Sequence, residues 1–384
     1  MKPNRIVQVL PCYVDRDAVG GHTKEIHALL SQHGFESSIY AELWQHSMPC
    51  ERLESIFDID GPETIIIHHY STGSEIPRVL LKCKSFKITC YHNITPYQYF
   101  QDPSEWMIRS SCRAGYLQRD LVRMVTDDFW SDSAFNSLQL QSSGFQEAQV
   151  LPILRDYSHL KSCPEVEQLK DFIRGDGSKI MLFVGRIAPN KAFHDLIFTL
   201  KLYQQHIDGK IRLVTVGAEN GQYAQQLRSL CGSLGLKVQS GISGGHCSAD
   251  VLMLGSVDEA QLSTVYGSAD AFICLSDHEG YTKPLVEAMS FGLPVIAHGS
   301  TVIPETLQEG GLLVNKDRVE DLIEGLEKIF NDSSYNSHLR QKALERAEDF
   351  SWPNLVKKFD ACLATSLNRY RVWREEKVAN IRIH

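Results

Sequence analysis

The stretch Ser276-Asp-His-Glu279-Gly-Tyr-Thr-Lys-Pro-Leu-Val-Glu287-Ala-Met-Ser-Phe-Gly-Leu-Pro-Val295 decides how this chain is read. The apolar run Ala271–Leu275 precedes it and suits a buried strand. Pro284 stands where a helix can begin, because proline is tolerated at the first helical position. Glu279 then falls in the loop and Glu287 in the first turns of the helix. Free backbone N–H groups and the positive end of the dipole at such a helix start suit a diphosphate. Thr282, Lys283, Pro284 and Leu285 would form that opening, and the two carboxylates can accept hydrogen bonds from hydroxyls on either side of it.

Toward the N-terminus, Phe183-Val-Gly-Arg186-Ile-Ala-Pro-Asn-Lys191 follows another buried run, Lys179–Val184. Arg186 should therefore emerge at a strand's carboxyl end. Two fixed cations can take the place of a metal by stabilising the charge that builds on a leaving group. Cations, not an Asp-x-Asp pair, stand at this phosphate site, so no metal is expected.

These residues resemble glycosyltransferase family 4, a group of retaining enzymes with the GT-B fold. The hallmark is two glutamates with seven residues between them, then Ala-Met and Gly-x-Pro-Val, matched by Glu279, Glu287, Ala288, Met289, Gly292, Pro294 and Val295. The resemblance implies that Glu279 contacts the hydroxyls of the donor sugar, that Glu287 holds the nucleotide ribose, and that Arg186 and Lys191 clamp the diphosphate. Lys283 departs from the pattern, where an apolar residue is common, and Thr282 keeps the small size expected of its position. Leu254-Gly-Ser-Val257 resembles the loop near the nucleotide base, and Phe350-Ser-Trp352 the motif opening the family's last helices.

Outward from these motifs, short apolar runs alternate with segments of helical period. Strands are expected at Arg5–Leu10, Ser37–Tyr40, Thr64–His68, Ile88–Tyr91, Met124–Thr126 and Gln149–Leu151. In the second half they are expected at Lys179–Val184, Arg212–Val216, Val251–Leu254, Ala271–Leu275, Pro294–Ala297 and Leu312–Val314. Strand–helix–strand repetition implies parallel sheets with right-handed crossovers. The pattern pauses at residues 152–178, which read as a linker. The expectation is α/β: two Rossmann-like, doubly wound domains facing a central cleft. Their spans are 1–155 (acceptor side), 156–364 (donor side) and a 365–384 helix crossing back to the first.

The first half offers fewer landmarks. Val19-Gly20-Gly21-His22 follows the first strand and its loop and opens a helix, and glycine there lets a backbone approach a ligand. By resemblance, Gly20 and Gly21 face the donor phosphates or the acceptor, and His92, at the end of the strand Ile88–Tyr91, sits near the transferred sugar. His68 and His69 are a poor metal pair, because adjacent strand residues point to opposite faces. Arginine and lysine cluster at 109–123, 78–87 and 369–377. Such clusters can meet anionic lipid, and are more often solvated helix faces.

Bulk properties narrow the function. The 384 residues suit two cores. A net charge of −8 argues against a nucleic-acid binder. Ten cysteines without a Cys-x-x-Cys pair fit free thiols in a reducing, cytoplasmic setting. No apolar run approaches membrane length, so any membrane contact is expected to be peripheral, at the inner face of the cell membrane. The expected partners are a GDP- or UDP-linked sugar, as co-substrate and not cofactor, and a saccharide or lipid-linked saccharide acceptor. The rival readings are a catalytically inactive sugar-nucleotide-binding scaffold and a GT-B sugar-nucleotide epimerase.

Overall fold

A computed structural model describes residues 2–14, 17–219, 221–243 and 245–381. The last three residues of the 365–384 segment lie outside the described residues. The chain divides into two compact units. One holds 1–98, 107–155 and 352–384, and the other holds 99–106 and 156–351.

The first unit is built on a seven-stranded parallel sheet. Its strands are β1 (Arg5–Tyr13), β2 (Ile39–Trp44), β3 (Glu51–Arg52), β4 (Thr64–Tyr70), β5 (Phe86–Tyr91), β6 (Asp128–Ser131) and β7 (Gln149–Val150). Their order across the sheet is β3-β2-β1-β4-β5-β6-β7. All seven residues of β4 are buried, which explains its unbroken run Thr-Ile-Ile-Ile-His-His-Tyr: helices cover both faces of such a sheet. The helix Trp352–Ile381 completes this unit. The indole N–H of buried Trp130 donates to Ser366 Oγ at 3.0 Å, Arg369 pairs with buried Asp128, and Tyr370 Oη donates to the Pro62 carbonyl at 2.8 Å.

The second unit repeats the plan with β8 (Lys179–Val184), β9 (Ile211–Val216), β10 (Val238–Ser240), β11 (Val251–Met253), β12 (Ala271–Cys274), β13 (Val295–His298) and β14 (Leu312–Val314). These run parallel in the order β10-β11-β9-β8-β12-β13-β14. Both units are thus Rossmann-like and doubly wound, as the alternation of strand and helix led one to expect.

Two local expectations are corrected. Residues 124–126 end the helix Arg119–Val125, and the strand lies just beyond, at Asp128–Ser131. The 152–178 segment is not bare linker, because it forms the helices Tyr157–Ser162 and Glu167–Arg174. The second of these buries Leu169, Phe172 and Ile173, an i, i+3, i+4 stripe. Gly20 and Gly21 sit in the first turn of the helix Ala18–Gln32.

Candidate active site

In the second sheet the chain grows away from β8 in both directions, toward β9 on one side and β12 on the other. Open parallel sheets bind ligands outside the strand carboxyl ends at such a switch point. Arg186 and Lys191 follow β8, and Glu279 follows β12. Close approach of the loops after β8 and β9 depends on glycine. A Cβ on Gly217, whose φ is +148°, would lie 2.0 Å from the Gly185 carbonyl oxygen.

The structure brings Lys191 and Glu279 together, with Nζ 2.6 Å from Oε2. The Glu279 N–H donates to Thr301 Oγ1 at 3.0 Å. Asn190 ties the two loops: its Nδ2 donates to the His278 carbonyl at 3.0 Å, and its own carbonyl accepts from the Asp277 N–H at 2.9 Å. Arg186 is exposed, and its guanidinium lies 5.8 Å from the Phe100 ring centroid.

Glu287 is buried on the helix Lys283–Ser290. Tyr266 Oη donates to its Oε2 at 2.9 Å, and Lys283 Nζ lies 3.1 Å from its Oε1. Lys283, unexplained by the sequence pattern, is therefore the counter-ion of Glu287. Burial and then this carboxylate hold the Tyr266 hydroxyl well above its ordinary pKa, so it remains a donor. Thr282 precedes the helix in the left-handed region, at φ 67° and ψ 51°, and no side chain caps the helix start. Pro284 lies in the first turn, and the Leu285 N–H bonds back to the Thr282 carbonyl at 2.9 Å. Burial lowers His278 to a pKa of about 4, so its ring is neutral.

In the first unit, His92 is buried beyond β5. Its Nδ1 lies 2.9 and 3.0 Å from the two carboxylate oxygens of Asp132, and its Nε2 lies 2.8 Å from His69 Nδ1. Burial alone would lower its pKa, but the Asp132 carboxylate and Cys90 overcome this and hold it well above the ordinary value. His68 points away from this group, with its Nδ1 3.5 Å from Thr89 Oγ1. Gly20 and Gly21 spend their N–H groups within the helix cap. Asp17 accepts from the Gly20 N–H through its side chain at 3.0 Å and from the Gly21 N–H through its carbonyl at 2.9 Å. Asp17 is also the second acid of an Asp-Arg-Asp triplet after β1, whose Asp15 lies outside the described residues. A Cβ on Gly20 would stand 2.7 Å from the Val14 carbonyl, so that position requires glycine.

His69, Cys90 and His92 carry metal-ligating atoms within 4.8 Å of one another, as do His22, Cys90 and Asp132. Both ring nitrogens of His69 and of His92 already have hydrogen-bond partners, so hydrogen bonding accounts for these residues.

Residues 166–346 match the family described as glycosyl transferases group 1. Over those residues the chain is similar to the group 1 glycosyl transferases. O-antigen chain mannosyltransferase B of Escherichia coli is 29% identical over 119 residues, covering 31% of this chain and 29% of that protein. The GDP-mannose:cellobiosyl-diphosphopolyprenol alpha-mannosyltransferase of Xanthomonas campestris is 28% identical over 188 residues, 47% of this chain and 44% of that one. The chain thus spans less than half of the length of either relative. Among solved structures, Anabaena Alr3699/HepE in complex with UDP and glucose superposes with a TM-score of 0.71 at 14% identity, covering 94% of this chain and 100% of that one. At that identity the likeness concerns the fold, which is GT-B.

The sequence motifs marked the charged residues of this region and left the residues that bond to them unmarked. Tyr266 and Asp132 each fix a motif side chain, and Thr301 and Asn190 fix the backbone of the loop around Glu279. Lys316, which bridges Asp195 at 2.7 Å and Asp277 at 2.5 Å beside the same loop, was also unmarked. Asp132 alone gave a faint signal, as an acid just after a buried strand.

Proposed function

We propose that the chain is a retaining, metal-independent glycosyltransferase that moves a sugar from a GDP- or UDP-linked donor to a saccharide or lipid-linked saccharide hydroxyl, in surface polysaccharide or glycoconjugate synthesis. The observation that carries this reading is the grouping of Arg186, Lys191, Glu279 and the uncapped start of Lys283–Ser290 around the β8/β12 switch point. Arg186, Lys191 and the helix start would take the diphosphate. Glu287, already donor-bonded and neutralised by Tyr266 and Lys283, would accept from the ribose hydroxyls. Glu279 would receive the sugar hydroxyls, and Lys191 would exchange its carboxylate partner for phosphate. Gly20, Gly21 and His92 keep in this proposal the roles that the family pattern gives them. The relatives' names support both donor bases: one uses GDP-mannose, and the Anabaena protein is complexed with UDP.

In the proposed step the acceptor oxygen bonds to the anomeric carbon on the face from which the diphosphate departs. The carbon–oxygen bond to the diphosphate breaks, and the acceptor proton passes to the departing diphosphate. Arg186 and Lys191 stabilise the charge released there. The test is transfer from a panel of sugar nucleotides by the wild type, Arg186→Ala and Lys191→Ala. Each variant is expected to lose about a hundredfold in turnover, the scale of one lost charge-stabilising donor. Near-normal transfer by both would refute the phosphate assignment.

A further inference from the structure

Four neighbouring strands of the first sheet carry a chain of buried polar side chains: Gln8 on β1, His69 on β4, His92 after β5 and Asp132 after β6. Their protons can be assigned from one end. Gln8 Nε2 lies 3.0 Å from the Thr23 carbonyl oxygen, which can only accept. The amide nitrogen therefore points there, and the amide oxygen faces His69 Nε2 at 2.9 Å. That nitrogen must donate. With its proton there, a neutral His69 ring accepts at Nδ1, which lies 2.8 Å from His92 Nε2. His92 must therefore donate from Nε2. Its Nδ1 meets both oxygens of the Asp132 carboxylate, which accept. A histidine that donates from both nitrogens is an imidazolium.

The same proton count could place the charge on His69, but the carboxylate touches His92. Charge attraction weakens with distance, and the second ring lies farther along the chain. His69 is flanked instead by neutral groups. The His22 ring centroid lies 5.9 Å away, and that ring accepts the Leu154 N–H at Nδ1 over 2.8 Å, which makes it a neutral Nε2–H tautomer. The groups facing His92 are thus His22, His69, Cys90 and Asp132, with His68 beyond them, and Asp132 is the acid among them.

We infer that Gln8, His69 and Asp132 are positioning residues that lock His92 as a doubly protonated, immobile imidazolium for the transfer reaction. The rate consequence rests on the function proposed above, whereas the protonation state stands on the hydrogen bonds alone. Gln8 is the informative member because it lies two links from His92 and reaches it only through His69.

The test combines nitrogen-15 NMR of histidine-labelled protein with pH–rate profiles. In the wild type, both His92 ring nitrogens should resonate as N–H from pH 6 to 9. In Gln8→Leu, His69 loses the acceptor that fixes its tautomer. Its proton can then move to Nδ1, and His92 Nε2 becomes an acceptor. His92 should then titrate inside that window, and kcat should fall by about tenfold per pH unit above the new midpoint, as for any group needed in protonated form. KM should stay nearly constant. A wild-type His92 with one proton, or zinc bound in stoichiometric amount on a Cys90 thiolate, would overturn the assignment. A freed His92 in Gln8→Leu with a flat pH–kcat profile would overturn the positioning role. Failure of the wild type to transfer sugar from any donor would instead refute the proposed function, and the spectra would still decide the protonation state.

Discussion

Acidification should unfold the first unit early, and by a calculable amount. His22, His68 and His69 are fully buried there and held neutral. Burial first, then the His92 charge, holds all three below the ordinary range, His68 at about 3. In the unfolded chain each takes a proton near pH 6.5. Below that pH the unfolded state binds more protons than the folded one, so stability falls as pH falls. His92 works in the other sense. Its raised pKa gives stability that is complete below about pH 6.5 and is lost only as pH rises through the folded value. It therefore offers no relief on the acid side. Each neutral histidine costs about 2 kcal/mol at pH 5, and the three together about 6 kcal/mol, against a typical domain stability of about 5–15 kcal/mol. The second unit holds one such residue among those described, His278 at about 4, for about 2 kcal/mol at pH 5. Tryptophan fluorescence reads the first unit, since Trp44, Trp130, Trp352 and Trp373 all belong to it and only Trp106 to the other. Urea melts at pH 7.5, 6 and 5 should show its midpoint collapsing across this range. His68→Asn should flatten the dependence by about one third, one proton of three. A midpoint that is flat between pH 7.5 and 5 would refute the neutral-histidine reasoning.

Transfer should persist in excess EDTA, and a complete, metal-reversible loss would refute the cation clamp. From an α-linked donor the product should be α-linked by NMR; a β product would show inversion. Glu279→Gln should weaken transfer strongly without trapping a sugar on the protein, and a glycosyl-enzyme at Glu279 seen by mass spectrometry would point to two displacements. Deleting residues 365 onward removes Ser366, Arg369 and Tyr370, leaving the Asp128 carboxylate and the Trp130 indole without those partners. The first unit should lose about 3–5 kcal/mol, the scale for stripping a buried charge of its partner, and an unchanged urea midpoint would refute that pairing.

What was legible in the sequence follows from what periodicity can carry. β8 matched its expected bounds because it presents a continuous apolar run to a core. β3 and β10, at the sheet edges, have two and three residues with no fully buried run, and left no trace. β6 was displaced because Met124-Val-Thr looks more strand-like than Asp128-Phe-Trp-Ser. Yet Asp128 inside the fold is met by Ser366 and Arg369, more than two hundred positions away. The site divides in the same way. Glu279 and Glu287 announce themselves because a short strand–loop–helix fixes their spacing. The link from His92 to Asp132 spans 40 positions and that from Tyr266 to Glu287 spans 21. Both depend on which strands and helices become neighbours, which no local pattern encodes.

The helix Trp352–Ile381 has a consequence for biosynthesis. It supplies Ser366, Arg369 and Tyr370, whose partners Trp130, Asp128 and Pro62 are made more than two hundred residues earlier. A ribosome adding roughly 5–20 residues per second needs about 10–40 s to cover that interval. Through that time the first unit has all its strands and lacks its closing helix, while almost all of the second unit emerges as one uninterrupted stretch. The nascent chain should therefore complete its domains out of order, the later-made one first. The earlier one waits with Trp130 and Asp128 uncovered, the natural moment for a chaperone to hold it.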